Sequence, residues 1–144
     1  MKPQHTPVII FSVYQAAQPD NQNLRRHNQL LEVLKGANIA YIETLGMYKG
    51  ITERSLVIDA KYESFVQRAT TKTNQESYLY LDQDRNATLV MSTGEHIKLG
   101  VFKAVKDDYV GDYTQNINGG HKYAIIDNTP TVVYDIFEQV KLTR

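Results

Sequence analysis

The chain has 144 residues, which suits one domain of roughly 100–200 residues, and we expect a single domain over residues 1–144. It contains no cysteine, which excludes disulfides, cysteine–zinc sites and thiol catalysis. Sixteen Lys and Arg residues balance sixteen Asp and Glu residues, so the formal net charge of zero argues against both a basic nucleic-acid binder and an acidic DNA mimic. The apolar run near the start spans only about seven residues, too few for a signal peptide or a membrane span. We therefore expect a cytoplasmic protein with no nucleic-acid or membrane partner.

The first half of the chain alternates between strand and helix patterns. Residues 7–14 (PVIIFSVY) are rich in β-branched and aromatic side chains, which predicts a central strand. Residues 21–35 show helical spacing, with Leu24, His27, Leu31 and Leu34 on one face, and Gly36 predicts the helix end. The next predicted elements are a strand at 39–45, a glycine-bounded loop at 46–50 (GMYKG), a strand at 55–59 and a helix at 60–69.

The second half contains mainly strand patterns. Residues 77–81 (SYLYL) and 87–91 (ATLVM) flank a short turn and predict a hairpin. The later predicted elements are a strand at 96–105, a long loop at 107–121, and strands at 122–127 and 131–137.

The order of the first six predicted elements is β-α-β-β-α-β, the split βαβ pattern of ferredoxin-like domains. We therefore predict an α+β, ferredoxin-like sandwich. Its four-stranded antiparallel sheet would carry the helices at 21–35 and 60–69 on one face, with extra strands at the C-terminal end.

Generic catalytic motifs are missing from the sequence. It has no glycine-rich phosphate loop, no Gly-x-Ser-x-Gly elbow, and four histidines without metal-ligand spacing. These observations argue against a conventional serine hydrolase and a metalloenzyme, and we expect neither a metal nor a cofactor.

Two polar groups in the first half allow two interpretations each. Asn23, Arg26 and His27 are neighbours on one helix face, where they either line a pocket or represent a core histidine and a surface arginine. Tyr48, in the predicted loop, and Glu53 form either a ligand clamp, with the tyrosine ring holding a cation, or an ordinary strand connection.

A third polar group leads into the strand at 77–81. Strand alternation predicts that Gln75 and Ser77 lie on one face and Glu76 on the other. The group is either part of a site or simply a polar strand entrance.

The ordered set of segments resembles the phage-encoded enzymes that degrade S-adenosylmethionine, the SAM lyases. The resemblance spans roughly residues 8 to 127. It is carried by FSVY at 11–14, N-x-x-R-H-x-x-x-x-x-x-L at 23–34, E-T-L-G-M-Y-K-G at 43–50, Glu53 before a strand, Gln75 before SYLYLD, and G-x-F-x-x-V at 100–105.

The resemblance implies a fold similar to the GlnB-like trimers, with active sites between the subunits of a homotrimer. It implies catalytic roles for Tyr48, Glu53 and Gln75. We expect the following residues to bind substrate: Ser12, Tyr14, Asn23, Arg26 and Glu76.

The reaction implied is attack of the substrate's own carboxylate on its γ-carbon, giving 5'-methylthioadenosine and L-homoserine lactone. This reaction needs no metal, base or water, so a site of Tyr, Glu and Gln is compatible with it. In a phage, the enzyme would counter restriction-modification defence. The alternatives are a non-catalytic, GlnB-like trimeric regulator that binds a nucleotide, and a host relative of other function.

Overall fold

The computed structural model describes residues 5–15, 18–48 and 50–126. Its strands are β1 (Val8–Phe11), β2 (Ile42–Tyr48), β3 (Ile51–Asp59), β4 (Ser77–Leu81), β5 (Asn86–Met91), β6 (His96–Val105), β7 (Tyr113–Asn116) and β8 (Lys122–Ile126). Its helices are α1 (Asp20–Gly36) and α2 (Glu63–Lys72), and the 3-10 turn Ala60–Tyr62 leads into α2. Neither helix is both long enough and apolar enough to cross a membrane in the part of the chain that is described.

The eight described strands form one closed antiparallel barrel in the order β1-β3-β2-β7-β8-β6-β5-β4. The prediction of a ferredoxin-like, GlnB-like sandwich with an open four-stranded sheet was therefore wrong. The edge of β4 pairs with β5 and the edge of β2 pairs with β7, so both edges of the four-stranded sheet are covered. Closure satisfies the backbone groups that free edge strands would leave unpaired.

Two local features of the second half make this closure possible. Residues 113–116, predicted to lie in a long loop, form β7 and join β2 to β8. The pairing of β5 with β6 shifts register between Ala87 and Thr88, opposite Gly100. Gly100 has a φ of 138°, a conformation that glycine adopts readily and other residues rarely adopt. Such an irregularity bends a strand and increases its twist, which helps a sheet to curl into a barrel.

The predicted helices and the 77–81/87–91 hairpin are confirmed with small changes at their ends. The predicted loop at 46–50 was wrong, because β2 continues to Tyr48 and β3 begins at Ile51, with Gly50 at a φ of 80° between them. Gly36 is still helical, and Asn38 takes the left-handed conformation after the helix, with a φ of 57°. The predicted strand at 131–137 lies outside the described residues.

Both helices pack against the same outer side of the barrel. Leu30 and Leu34 of α1 and Val66 of α2 form one buried cluster with outward-facing strand residues such as Phe11 and Leu56. This arrangement leaves the alternate residues of each strand facing the barrel interior.

The interior wall formed by β1, β3 and β4 changes character along its length. At one end Ile10 and Leu81 are buried with Ala87 and pack against Val57 and other apolar side chains. Toward the other end, the same strands or the residues that extend them provide Ser12, Ser55, Glu53, Ser77 and Gln75. The fold thus gathers polar side chains at one end of this wall.

Candidate functional site

A cavity of about 580 Å³ lies in the barrel interior, within the range of roughly 300–1,000 Å³ typical of small-molecule sites. One wall is polar, and the opposite wall is apolar and aromatic. The polar residues lining it include Ser12, Glu53, Ser55, Gln75, Ser77 and Thr114.

Strand alternation explains how the polar wall arises. Gln75 and Ser77 both line the cavity, which confirms the prediction that they share a face. Glu76, between them, is exposed. Glu53 and Ser55 are likewise two residues apart on β3, so both point inward.

Two carboxylates line the cavity, Asp112 and Glu53, and Glu53 is the one on β3 beside Ser55. Glu53 is half-buried, and no described residue forms a hydrogen bond or an ion pair with its carboxylate. Burial raises the pKa of Glu53, because the charged form loses hydration. Gly46 pairs directly with Glu53 across β2 and β3, so no side chain on the β2 side covers the carboxylate, and Tyr14 is near enough for the Glu53 charge to add to burial in raising the pKa of Tyr14. The site can therefore stabilise a positively charged group.

Ser12 and Gln75 also hold the wall together. The Ser12 hydroxyl donates to the Arg54 carbonyl at 3.0 Å and accepts from the Tyr14 backbone N–H at 3.0 Å. The Gln75 amide donates to the Tyr14 carbonyl at 2.5 Å. These bonds tie the end of β1 to β3 and to the start of β4, next to the cavity.

Sequence reasoning missed two further polar residues in this region, Ser55 and Thr44, whereas it predicted that Ser77 shares a face with Gln75. Thr44 pairs with Ser55 across β2 and β3, and its buried Oγ1 has no hydrogen-bond partner in the described structure. Counting two residues along β3 from Glu53 would have found Ser55.

The opposite wall is apolar and aromatic. Phe102 and Tyr123 stack with ring centroids 5.4 Å apart and planes 7° from parallel. The other apolar side chains lining this half include Leu89, Leu99 and Ile125.

Tyr14, Asn23 and Arg26 lie on the helix-covered side. The Asn23 side chain accepts from the Gln15 N–H at 2.8 Å, donates to the Gln15 carbonyl at 3.0 Å, and accepts from Arg26 at 3.0 Å. Burial raises the pKa of Tyr14, although the nearby Arg54 guanidinium, which is hydrogen-bonded to its side chain, acts in the opposite direction. The structure thus does not bring these three residues to the cavity wall with Ser12, Glu53 and Gln75.

His27 forms the centre of a separate polar network. Its Nε2 lies 2.7 Å from Glu43 Oε2, and Arg54 donates to the same oxygen at 3.3 Å. The ring of Tyr14 contacts the histidine edge-on at a centroid distance of 6.2 Å. His27 Nδ1 is buried and has no partner among the described residues.

Tyr48 ends β2, and its backbone pairs with Ile51 at the turn into β3. It is two positions from Gly46, the residue opposite Glu53, so its backbone lies on the stretch of hairpin that leads to the polar wall. Its role in the site stays a prediction.

Within the described ranges, no group of three or more His, Asp or Glu side chains could hold a metal ion.

Comparison with known proteins identifies a family for this chain. A family model described as the S-Adenosylmethionine lyase family matches residues 9–126. No curated protein matches the chain significantly. The matched range contains the whole described barrel from β1 to β8 apart from Val8, and it includes every residue of the polar wall. The chain belongs to the S-adenosylmethionine lyase family.

Proposed function

We propose that this lyase converts S-adenosylmethionine to 5'-methylthioadenosine and L-homoserine lactone inside the barrel cavity. The observation that carries the proposal is Glu53, a half-buried carboxylate in the cavity wall without a cationic partner in the described structure. S-adenosylmethionine brings a sulfonium and an ammonium group, and either cation would complement this carboxylate. The family match provides the substrate and the class of reaction.

The reaction balances without any other reagent. A carboxylate oxygen of the substrate forms a bond to its own γ-carbon, while the bond between that carbon and sulfur breaks. The electron pair of the broken bond stays on sulfur, so the sulfonium becomes the neutral thioether of methylthioadenosine. The lactone retains the ammonium group.

This chemistry decides which cation Glu53 should hold. The sulfonium charge disappears in the transition state, so a carboxylate placed against it would stabilise the ground state more and slow the reaction. The ammonium charge persists throughout. Glu53 therefore binds the ammonium group and orients the attached carboxylate toward the γ-carbon, a positioning effect of the kind that accelerates intramolecular reactions.

The other predicted residues complete the site in different ways. Gln75 and Ser12 hold the polar wall in shape through their bonds to the backbone at Tyr14 and Arg54, and Gln75 contributes to positioning the substrate. Tyr48 positions the substrate from the β2–β3 hairpin. Tyr14, Asn23, Arg26 and Glu76 bind the substrate where it reaches beyond the cavity, or where a neighbouring subunit approaches.

A homotrimer with pockets near its subunit interfaces remains part of the proposal. Exposed apolar side chains on β2 and β3 provide surface for such contacts: Ile42 and Ile51, at opposite ends of the hairpin, are 51% and 55% exposed, and Leu45, on the other strand face, is 37% exposed. Light scattering of the active protein at micromolar concentration should give a trimer mass. Full activity at a monomer mass would contradict the assembly.

The biological role that fits this reaction is a phage counter-defence. Removing S-adenosylmethionine deprives restriction-modification enzymes of a cofactor or methyl donor. Expression of the protein should restore plating of an unmodified phage on a restricting host, and a Glu53→Gln variant should not.

The decisive test is turnover of S-adenosylmethionine by the purified protein. Formation of methylthioadenosine and homoserine lactone in equal amounts, without added metal or cofactor, is the expected result. Binding without turnover would contradict the proposal.

Isotopic labelling tests the intramolecular step separately. In water enriched in heavy oxygen, the lactone formed at early times should carry no label. Early label in the hydroxyl group of homoserine would instead identify direct hydrolysis.

A further inference from the structure

We propose that Phe102 and Tyr123 form the binding surface for the adenine base of the substrate, opposite the wall that holds its amino-acid end. This inference rests on the proposed function and adds the residues that recognise the nucleoside. It depends on the shape and position of the aromatic pair, which the chemistry at Glu53 does not use.

The two rings form a preorganised flat surface. Phe102 pairs with Ile125 across β6 and β8, so Tyr123 is its diagonal neighbour on the same face. The ring planes are 7° from parallel and the centroids 5.4 Å apart, an offset stack that leaves ring surface and ring edges for a third aromatic system. Tyr123 is 38% exposed, so its ring is not enclosed by protein.

The barrel order places this surface across from the polar wall. In the cycle β1-β3-β2-β7-β8-β6-β5-β4, β6 lies four strands from β3 in both directions, and β8 lies four strands from β1. Phe102 is therefore on the strand opposite Glu53, and Tyr123 is on the strand opposite the one that leads to Ser12. All four residues line the same cavity.

This arrangement matches the polarity of the substrate. S-adenosylmethionine has a flat aromatic base at one end, a charged amino acid at the other, and the sulfonium between them. With the base on the aromatic wall and the ammonium group at Glu53, the sulfonium lies in the middle of the cavity, away from the carboxylate. The apolar neighbours Leu99 and Ile125 extend the surface that the base would cover.

Calorimetric binding of methylthioadenosine tests the inference, because this product has the nucleoside but no amino acid. Phe102→Leu and Tyr123→Leu should each weaken its binding on the order of tenfold, the scale of one lost aromatic contact. The KM for S-adenosylmethionine should rise similarly, with kcat changing less. Tyr123→Leu guards against a folding defect in Phe102→Leu, because Tyr123 is partly exposed.

Phe65→Leu is the matched control. Phe65 is a partly buried aromatic residue of α2 that packs on the outer side of the barrel, so its replacement should lower stability but leave methylthioadenosine binding unchanged. Affinities of both wall variants within twofold of wild type would overturn the inference.

The two proposals can fail separately. If the wild-type protein consumes S-adenosylmethionine but the wall variants keep their affinity and KM, the aromatic surface is wrong and the lyase reaction stands. If methylthioadenosine binds in a manner that depends on Phe102 and Tyr123 but no turnover occurs, the surface stands and the proposed function is wrong.

Discussion

The two faces of the β2–β3 hairpin each carry a glutamate, and the two glutamates have opposite surroundings. Glu43 faces the helix-covered side, where His27 lies 2.7 Å and Arg54 3.3 Å from its carboxylate. Glu53 faces the barrel interior, where no described side chain pairs with it. A carboxylate whose partners are provided by the protein is part of the architecture, whereas one left half-buried and unpaired is suited to a ligand.

The side-chain amides of Asn23 and Gln75 also differ in their surroundings. Asn23 bonds to the backbone on both sides of residues 16–17, at Gln15 and Gln18, and fixes the start of α1. Gln75 also bonds to backbone, at Tyr14, but its side chain lines the cavity. Both amides thus stabilise the fold through backbone hydrogen bonds, and Gln75 does so while its side chain faces the cavity.

The largest expected effect comes from removing the interior charge. Glu53→Gln keeps the side-chain shape, and we expect kcat to fall about 100-fold because the substrate loses its orienting partner. The melting temperature should not fall, since an unpaired half-buried charge does not stabilise the fold. Steady-state kinetics and a thermal melt provide the measurements.

The matched control is Glu95→Gln, which removes the same charge from an exposed turn. It should leave both rate and melting temperature unchanged. Equal rates for Glu53→Gln and wild type would show that Glu53 has no role in catalysis. Its unpaired carboxylate would then not indicate a ligand site.

The pH dependence of activity and of stability tests the role of Glu53 further. Because burial raises the pKa of Glu53, kcat/KM should fall on acidification with a midpoint above the usual range of a glutamate. The folded state binds this proton more tightly than the unfolded state, so Glu53 makes the protein more stable as the pH falls through the same window. Activity and melting temperature should therefore move in opposite directions in wild type.

Glu53→Gln should abolish that stability change, and its residual activity should lose the acid limb. An acid limb retained unchanged in the variant would assign the titration to another group.

On the helix-covered side the expected effects are on stability. His27→Ala removes a side chain that is 1% exposed and the partner of Glu43, so we expect a loss of about 2–4 kcal/mol in the free energy of unfolding. Urea denaturation measures this loss, with the exposed His96→Ala as control. The folded variant should keep kcat within a few-fold of wild type, and a loss of activity without a loss of stability would place His27 in the site.

Much of the site was predictable from the sequence, because strand alternation is a local property. Strand alternation predicts that Gln75 and Ser77 share one face, and the family resemblance indicated Glu53 and Ser12 as site residues. All four residues line the cavity. The partners of Asn23 and His27 could not be read in this way, because they lie on segments joined only in the folded chain.

The barrel itself depended on information that the sequence pattern does not carry. An open and a closed sheet have the same strands, and the difference is the pairing of the two edges, which β7 completes. The segment of β7 is polar and lies among Gly, Asn and Asp residues, so its local signal favours a loop. The aromatic wall also depends on a long-range pairing that the local sequence does not reveal, because the β6–β8 register brings Phe102 and Tyr123 together.

The smallest expected effect concerns Tyr78, a hydrogen-bonded phenol between β4 and α2. Its hydroxyl donates to Glu63 at 2.6 Å and accepts from Gln67 at 3.3 Å, and burial, followed by the Glu63 bond, raises its pKa to about 12. Tyr78→Phe should lower the free energy of unfolding by about 1 kcal/mol at neutral pH, the scale of one such hydrogen bond. Tyr62→Phe, on the same outer cluster without a hydroxyl partner among the described residues, should cost less.

The alkaline range distinguishes this bond from simple packing. Since the folded-state pKa of Tyr78 is raised from 10.0 to about 12, its stabilisation is complete below the unfolded-state value and is lost as the pH rises through the folded-state value. Wild type should thus lose more stability than Tyr78→Phe between these two pH values in urea melts. Equal losses of stability in the two proteins would show that Tyr78 stabilises the fold through packing alone. The hydrogen bond to Glu63 would then contribute nothing to the free energy of unfolding.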